Sequence, residues 1–187
     1  MRRGFKTEAE NRSIAARRSL KLASGAPLDP WTYADHLKVV VLDFDNLDLS
    51  PSCVRQLIHG DPESWSAMTL KIGNVFGIVV NPAHQPTRQR SDLMHELAHI
   101  ELQHVPARVE VSKSGFLLLS DYSEEQEQEA DWLGAALLVP REGLMRLRRQ
   151  QKPVSEIAQH FGVSNVLCEW RLRMTGVDTQ IRRALSR

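Results

Sequence analysis

The sequence predicts an α+β fold in which helices pack on a small three-stranded, mostly antiparallel sheet and a helical segment follows. Two observations carry that class. A pair of β-rich apolar runs is joined by Gly73-Asn74, which reads as a hairpin, and apolar residues at helical spacing recur on both sides of it. A third bounds it: 187 residues, 42% hydrophobic and 25% charged, are ordinary globular usage, enough for a core and too apolar for a disordered chain. We therefore expect one compact unit, with a core over 1–140 that includes the N-terminal helices and a helical segment over 141–187 packed on it.

Thr7 to Leu22 carries Ala9, Ile14, Ala15 and Leu20 among charges, an amphipathic helix closed by SGAPLDP. Asp29 before Pro30 caps a short helix through His36, and the β-branched KVVVL of Lys38 to Leu42 is a strand. Ser50-Pro51 repeats the cap before VRQLIHG. The hairpin strands run from Ser66 to Ile72 and from Val75 to Asn81, and the second could offer an edge to an extended peptide. Pro82 and Pro86 then break the chain, and a helix is expected from Ser91 through His104. A connector containing GFLLL leads to a long helix over Ser123 to Val139, acidic at its start and stopped by Pro140. Four shorter helices follow, near Glu142 to Gln150, Ser155 to Phe161, Ser164 to Met174 and Asp178 to Leu185, with Gly162 and Gly176 as breaks.

No apolar run approaches the roughly 20 residues of a membrane span, and MRRGFKTEAENR has no apolar stretch behind its basic residues. A soluble, unsecreted, cytoplasmic chain is expected. Cys53 and Cys168 form no CxxC pair, so neither a disulfide framework nor a thiolate metal site is indicated. The formal charge of +1 is unevenly spread: Met1 to Pro30 has 7 basic and 3 acidic residues, Arg141 to Arg187 has 10 and 4, and the middle has 7 and 16. Basic ends can contact nucleic acid or fold back on an acidic centre; the absence of a lysine-rich or aromatic-interleaved patch favours the second.

His95-Glu96-Leu97-Ala98-His99 is an HExxH sequence inside a predicted helix. Residues four apart stand on one helical face, so both imidazoles can point at one zinc ion, and Glu96 beside the first can accept a proton from water there. A solvated surface helix with two histidines is the lesser alternative, even before a third ligand is sought. The pattern HExxHxxGxxH fails, because Leu102 and Val105 occupy its glycine and last histidine positions. His104, about 180 degrees from His95 on an unbroken helix, reads as a surface or terminal histidine. The acidic start of the following helix supplies Glu124, Glu125, Glu127 and Glu129. Of these, Glu127 shares a face with Asp131, Gly134, Ala135 and Leu138, where small residues permit close packing against the motif helix. That places Glu127 on the metal and Asp131 behind a liganding histidine, accepting from its other ring nitrogen; Glu124, Glu125 and Glu129 read as a solvated acidic face.

HELAHIEL followed by EQEADWLGAALLVP resembles the ImmA/IrrE family of zinc metallo-endopeptidases, of the HExxH-plus-Glu or gluzincin-like kind. The strand GIVVN before the motif helix, the LLVP stop, the N-terminal RRGFKTEAE and the late SEIAQHFGVS are similar too. The resemblance implies a zincin-like metallopeptidase domain, Zn2+ on His95, His99 and Glu127, and Glu96 as general base. It implies a protein substrate, a helix-turn-helix repressor encoded nearby and cut to relieve repression in a phage, mobile element or stress response. Ser91 and Asp92 depart from the family's usual aromatic and hydroxyl residues. The donor for the tetrahedral oxyanion stays unassigned between Tyr122 and His104.

A second reading comes from SEIAQHFGVSNVLCEWRL, which resembles a helix-turn-helix with Arg171 and Arg173 behind it, and would make the chain a DNA-binding regulator with a structural or sensory zinc. The apolar Val166, Leu167, Cys168 and Trp170 leave few side chains for base edges, which favours packing on the peptidase unit. His36, His59, His84 and His160 are isolated and read as ordinary residues.

Overall fold

The computed structural model describes residues 1–47, 49–106, 108–111 and 117–186. Helix α1 (Phe5–Ser19) opens after Gly4, whose φ of 85° suits glycine. Helix α2 (Pro30–His36) starts as expected, the Asp29 carboxylate accepting from the Thr32 amide with Pro30 in the first turn. Strand β1 (Val40–Leu42) follows, then α3 (Pro51–Arg55), capped by Ser50 and continued as a π-helical turn over Gln56–Gly60. The hairpin is β2 (Ala67–Ile72) and β3 (Val75–Val80), turning at Gly73 with φ 56°.

The sheet is larger than predicted. Helix α4 (Pro86–Glu101) is followed by β4 (Arg108–Val111) and β5 (Leu117–Ser120), giving five strands among the described residues in the order β1-β3-β2-β5-β4. Only β1 and β3 run parallel; the other three pairings are antiparallel. The added pair comes from the stretch read as a connector. Its GFLLL becomes strand from Leu117 on, while Gly115 and Phe116 lie outside the described residues. Because β3 is hydrogen-bonded on both sides, the edge expected on it for an extended peptide does not exist; β1 and β4 are the outer strands.

Helix α4 begins at Pro86, five residues before the expected start, since proline without an N–H is at home in a first helical turn. It also ends earlier, with Gln103 at φ 55°, so His104 is outside the helix. Helix α5 (Glu124–Leu138) has a reciprocal cap between Ser123 and Gln126 and three glutamates in its first turn, where the helix dipole favours them. A Cβ on Gly134 would stand 3.4 Å from the Met94 carbonyl oxygen, so glycine there lets α5 close on α4.

The far end of α5 is buried, and its carbonyls are met by donors from both termini of the chain. Arg17 Nη2 donates to Leu137 O at 2.6 Å, Ser13 Oγ to Ala136 O at 2.7 Å, and Arg171 Nε to Val139 O at 3.0 Å. Burial lowers the Arg17 pKa to about 10, opposed by the charge of Glu10. Arg171 also pairs with Glu10 at 2.5 Å, joining the two basic ends, while Arg12 reaches Glu101 at 3.5 Å and Arg2 reaches Glu129 at 2.9 Å, so part of the N-terminal basic excess does fold back on the acidic middle.

Helices α6 (Arg141–Arg149), α7 (Val154–Phe161), α8 (Asn165–Thr175) and α9 (Val177–Leu185) complete the chain. Ile157, Phe161 and Leu172 share one buried cluster with Leu93 and Leu97 of α4 and Leu133 and Leu137 of α5. Among the described residues, no helix is long and apolar enough to cross a membrane.

Candidate metal centre

Helix α4 places His95 and His99 one turn apart, and α5 brings Glu127 to them across the Gly134 contact. The three offer ligand atoms that all lie within 4.8 Å of one another. His95 Nε2 is 3.1 Å from Glu127 Oε2 and 3.0 Å from His99 Nε2, and His99 Nε2 is 3.6 Å from Glu127 Oε2. Ligand atoms about 2.0–2.1 Å from one tetrahedral ion stand roughly 3.4 Å apart, so the donor set fits zinc in both chemistry and spacing. Glu124 and Glu125, from the same acidic turn, are exposed.

Each imidazole is held from behind. His95 Nδ1 lies 3.0 Å from Asp131 Oδ1, the arrangement expected of that pair. Burial alone would lower the His95 pKa, but its hydrogen bonds to Asp131 and Glu127, helped by the charge of Glu96, raise it to about 10. His99, 1% exposed, is pushed down to about 3 by burial and then by the charge of His95. Glu127 is lowered, chiefly by its hydrogen bond with His95. His99 has a different partner: His104 Nδ1 at 3.1 Å. Of the reading of His104 as a surface or terminal histidine, the first half is corrected: it lies just past the end of α4, but its side chain is 7% exposed. The left-handed Gln103 turns the chain back, the His104 amide donates to His99 O, and the ring is tucked against the His99 ring.

Glu129 also departs from the solvated acidic face assigned to it. It is 3% exposed and bound by Arg2, whose backbone amide and Nε each lie 2.9 Å from Oε1. These bonds hold the carboxyl below its usual range even though burial pushes it up.

The Glu96 side chain turns toward the sheet, where Thr69 Oγ1 of β2 donates to Oε2. Burial raises its pKa against the opposing Thr69 hydrogen bond and His95 charge, which makes it a stronger proton acceptor than a surface glutamate. Thr69 was not anticipated. Tyr122 stacks on His99 with ring centroids 3.8 Å apart, and burial together with the charges of Glu96 and Glu127 raises its pKa, so the phenol keeps its proton.

Around the centre, Asn81 explains the Asn that ends GIVVN: its amide donates to Pro62 O and Trp65 O, and its oxygen accepts from the Ala83 amide. Asp92, one of the two departures from the family pattern, lies 3.0 Å from His84 Nδ1, and Ser91 donates to Thr87 O. His84 is thus a partnered core histidine. In the helix-turn-helix-like stretch, Gly162 takes φ 64° and Ser164 caps α8, but Arg171 is 0% exposed and committed to α5, leaving Arg173 alone of the two arginines on the surface.

A search of curated proteins gives no match. The family model described as the IrrE N-terminal-like domain, a peptidase family, matches residues 68–173, from within β2 to within α8. That span contains both helices of the metal centre, Thr69, Tyr122 and His104, and it covers more than half of the chain. The chain therefore belongs to the IrrE N-terminal-like (ImmA/IrrE) family of metallopeptidases.

Proposed function

We propose that the protein is a zinc-dependent endopeptidase with Glu96 as general base, and that its substrate is a helix-turn-helix transcriptional repressor encoded nearby, met in the cytoplasm. The observation that carries this reading is the Glu96 carboxylate, half-buried and held by Thr69, adjacent in sequence to the first of three converging candidate ligands. Zinc held by His95, His99 and Glu127 supplies Lewis acidity, lowering the pKa of water and polarising a peptide carbonyl. Glu96 takes the proton from the attacking water and delivers it to the departing amine nitrogen, so that the carbonyl carbon gains the water oxygen as its bond to nitrogen breaks. Asp131 fixes the His95 tautomer with Nε2 free for the metal. Tyr122 is the better placed of the two oxyanion donors, because His104 is committed to His99. In this reading residues 1–140 are the metallopeptidase core and 141–187 a helix-turn-helix-like segment packed on it.

The test pairs the zinc-loaded chain with the repressor from its own locus and follows cleavage by mass spectrometry, with a chelator control. Glu96→Gln keeps the side chain's size but cannot take the proton, so cleavage is expected to fall by about 10²- to 10⁴-fold, the usual worth of a general base, while zinc content and substrate binding persist. Cleavage at the wild-type rate in that variant would defeat the mechanism, and loss of its zinc would reassign the ligands.

A further inference from the structure

We propose that His104, Glu129 and Arg2 form a chain of positioning residues for His99, so that the N-terminal segment, outside the family match, is a working part of the metal centre. The inference rests on the reading that His95, His99 and Glu127 hold a metal. Its starting point is a tautomer argument. For His99 Nε2 to offer its lone pair to a metal, a neutral ring must carry its proton on Nδ1. That N–H donates to His104 Nδ1 at 3.1 Å, which must then be an unprotonated acceptor. The His104 proton is thereby placed on Nε2, which is buried and has no hydrogen-bond partner among the described residues; Glu129 Oε2 faces it at 3.6 Å.

Glu129 is in turn fixed by three contacts from Arg2. The backbone amide and Nε each donate to Oε1 at 2.9 Å, and Nε also lies 3.2 Å from Oε2. A carboxylate whose side chain is 4% exposed needs such a partner, because an unpaired buried charge is costly. Donor and acceptor thus alternate without conflict from metal site to N-terminus: His99 to His104, His104 towards Glu129, Arg2 onto Glu129. The two histidine ligands are therefore served differently. His95 has the Asp131 carboxylate directly, 70% exposed, whereas His99 reaches a buried carboxylate only through a second imidazole. Linkage makes the arrangement reciprocal: if Arg2 on Glu129 favours metal binding, metal binding must favour Arg2 on Glu129.

The test is zinc affinity by chelator competition, together with the absorption spectrum of the cobalt-substituted protein, neither of which requires turnover. Arg2→Ala and Glu129→Gln are each expected to weaken zinc binding by about 10-fold or more, as losses behind a ligand typically do, and to shift the cobalt spectrum. The double variant should be little worse than Glu129→Gln alone, because both changes break one chain. Arg3→Ala, an exposed neighbour, serves as the control. If a variant fails to fold, wild-type hydrogen exchange answers instead: adding zinc should slow exchange of the Arg2 amide. Wild-type affinity and spectrum in both single variants, strictly additive losses, or no zinc effect on the Arg2 amide would overturn the proposal. A wild-type chain that binds no zinc would instead overturn the metal reading beneath it.

Discussion

Helices α4 and α5 meet through His95, His99 and Glu127 with Gly134 drawing the backbones together, whereas α7 and α8 meet through Ile157, Ala158, Phe161, Cys168 and Leu172. Polar groups at the first interface have assigned neighbours: Asp131 behind His95, His104 behind His99, Thr69 on Glu96. On the second pair, the buried Cys168 thiol is pushed up to about 11 by burial and by Glu169. A helix pair that merely packs needs apolar side chains of suitable size, while a pair that could hold a metal needs converging donors whose rings are oriented by further partners.

The largest expected effects break the first pair. Glu127→Ala should abolish stoichiometric zinc binding by elemental analysis, while Glu124→Ala and Glu125→Ala retain it; the reverse pattern would move the third ligand along α5. Asp131→Ala should leave the ligands in place but weaken zinc affinity by about 10- to 100-fold. Unchanged affinity would reduce Asp131 to a surface acid beside His95.

A comparable loss, of stability rather than metal, is expected where α8 meets α5. Arg171→Ala removes a buried cation from Val139 O and from Glu10, which keeps the Arg141 amide at 3.4 Å, and should cost about 3 kcal/mol in chemical denaturation. A change below about 1 kcal/mol would show that Arg171 is not the structural cap its burial implies.

What was legible divides along the same line. His95 and His99 on one helix, and Glu127 and Asp131 on the next, stand four residues apart, so periodicity puts each pair on one face, while Glu96 is marked only by its place in the HExxH sequence. His104 was missed because its place depends on where α4 stops, and the stop is a left-handed Gln103 that neither glycine nor proline announces. The Arg2 contact with Glu129 joins positions 127 apart and has no local signal at all. The β4 and β5 pair was hidden for a similar reason: its strands are four residues each, with no Gly-Asn turn of the kind that marks β2 and β3.

Proton linkage sharpens the contrast between the two candidate histidine ligands. His95, raised to about 10 in the metal-free fold, carries a proton at pH 7 that zinc must displace, whereas His99, lowered to about 3, is already neutral. Zinc binding at pH 7 should release about one proton, measured calorimetrically in buffers of different ionisation enthalpy, and affinity should rise about tenfold per pH unit between 6.5 and 9. The metal-free fold runs the other way over that window. A histidine whose folded pKa exceeds its unfolded value near 6.5 stabilises fully below 6.5, and that contribution is lost as pH rises through about 10. Release of no proton would mean that His95 is neutral before the metal arrives.

The smallest expected effect concerns DNA. The exposed side chains of α8 are Asn165, Val166, Glu169, Arg173 and Met174, so its surface presents one cation, one anion, one amide and two apolar side chains. A recognition helix needs several donors and acceptors for base edges, with further cations to neutralise phosphates. Duplex binding at physiological salt should therefore be no tighter than the roughly 10⁻⁴–10⁻⁶ M of non-specific contacts, and Arg173→Ala should change the salt slope by at most about one unit. Sequence-dependent binding in the nanomolar range, weakened by Arg173→Ala or Asn165→Ala, would reverse the comparison and make the second helix pair functional as well as structural.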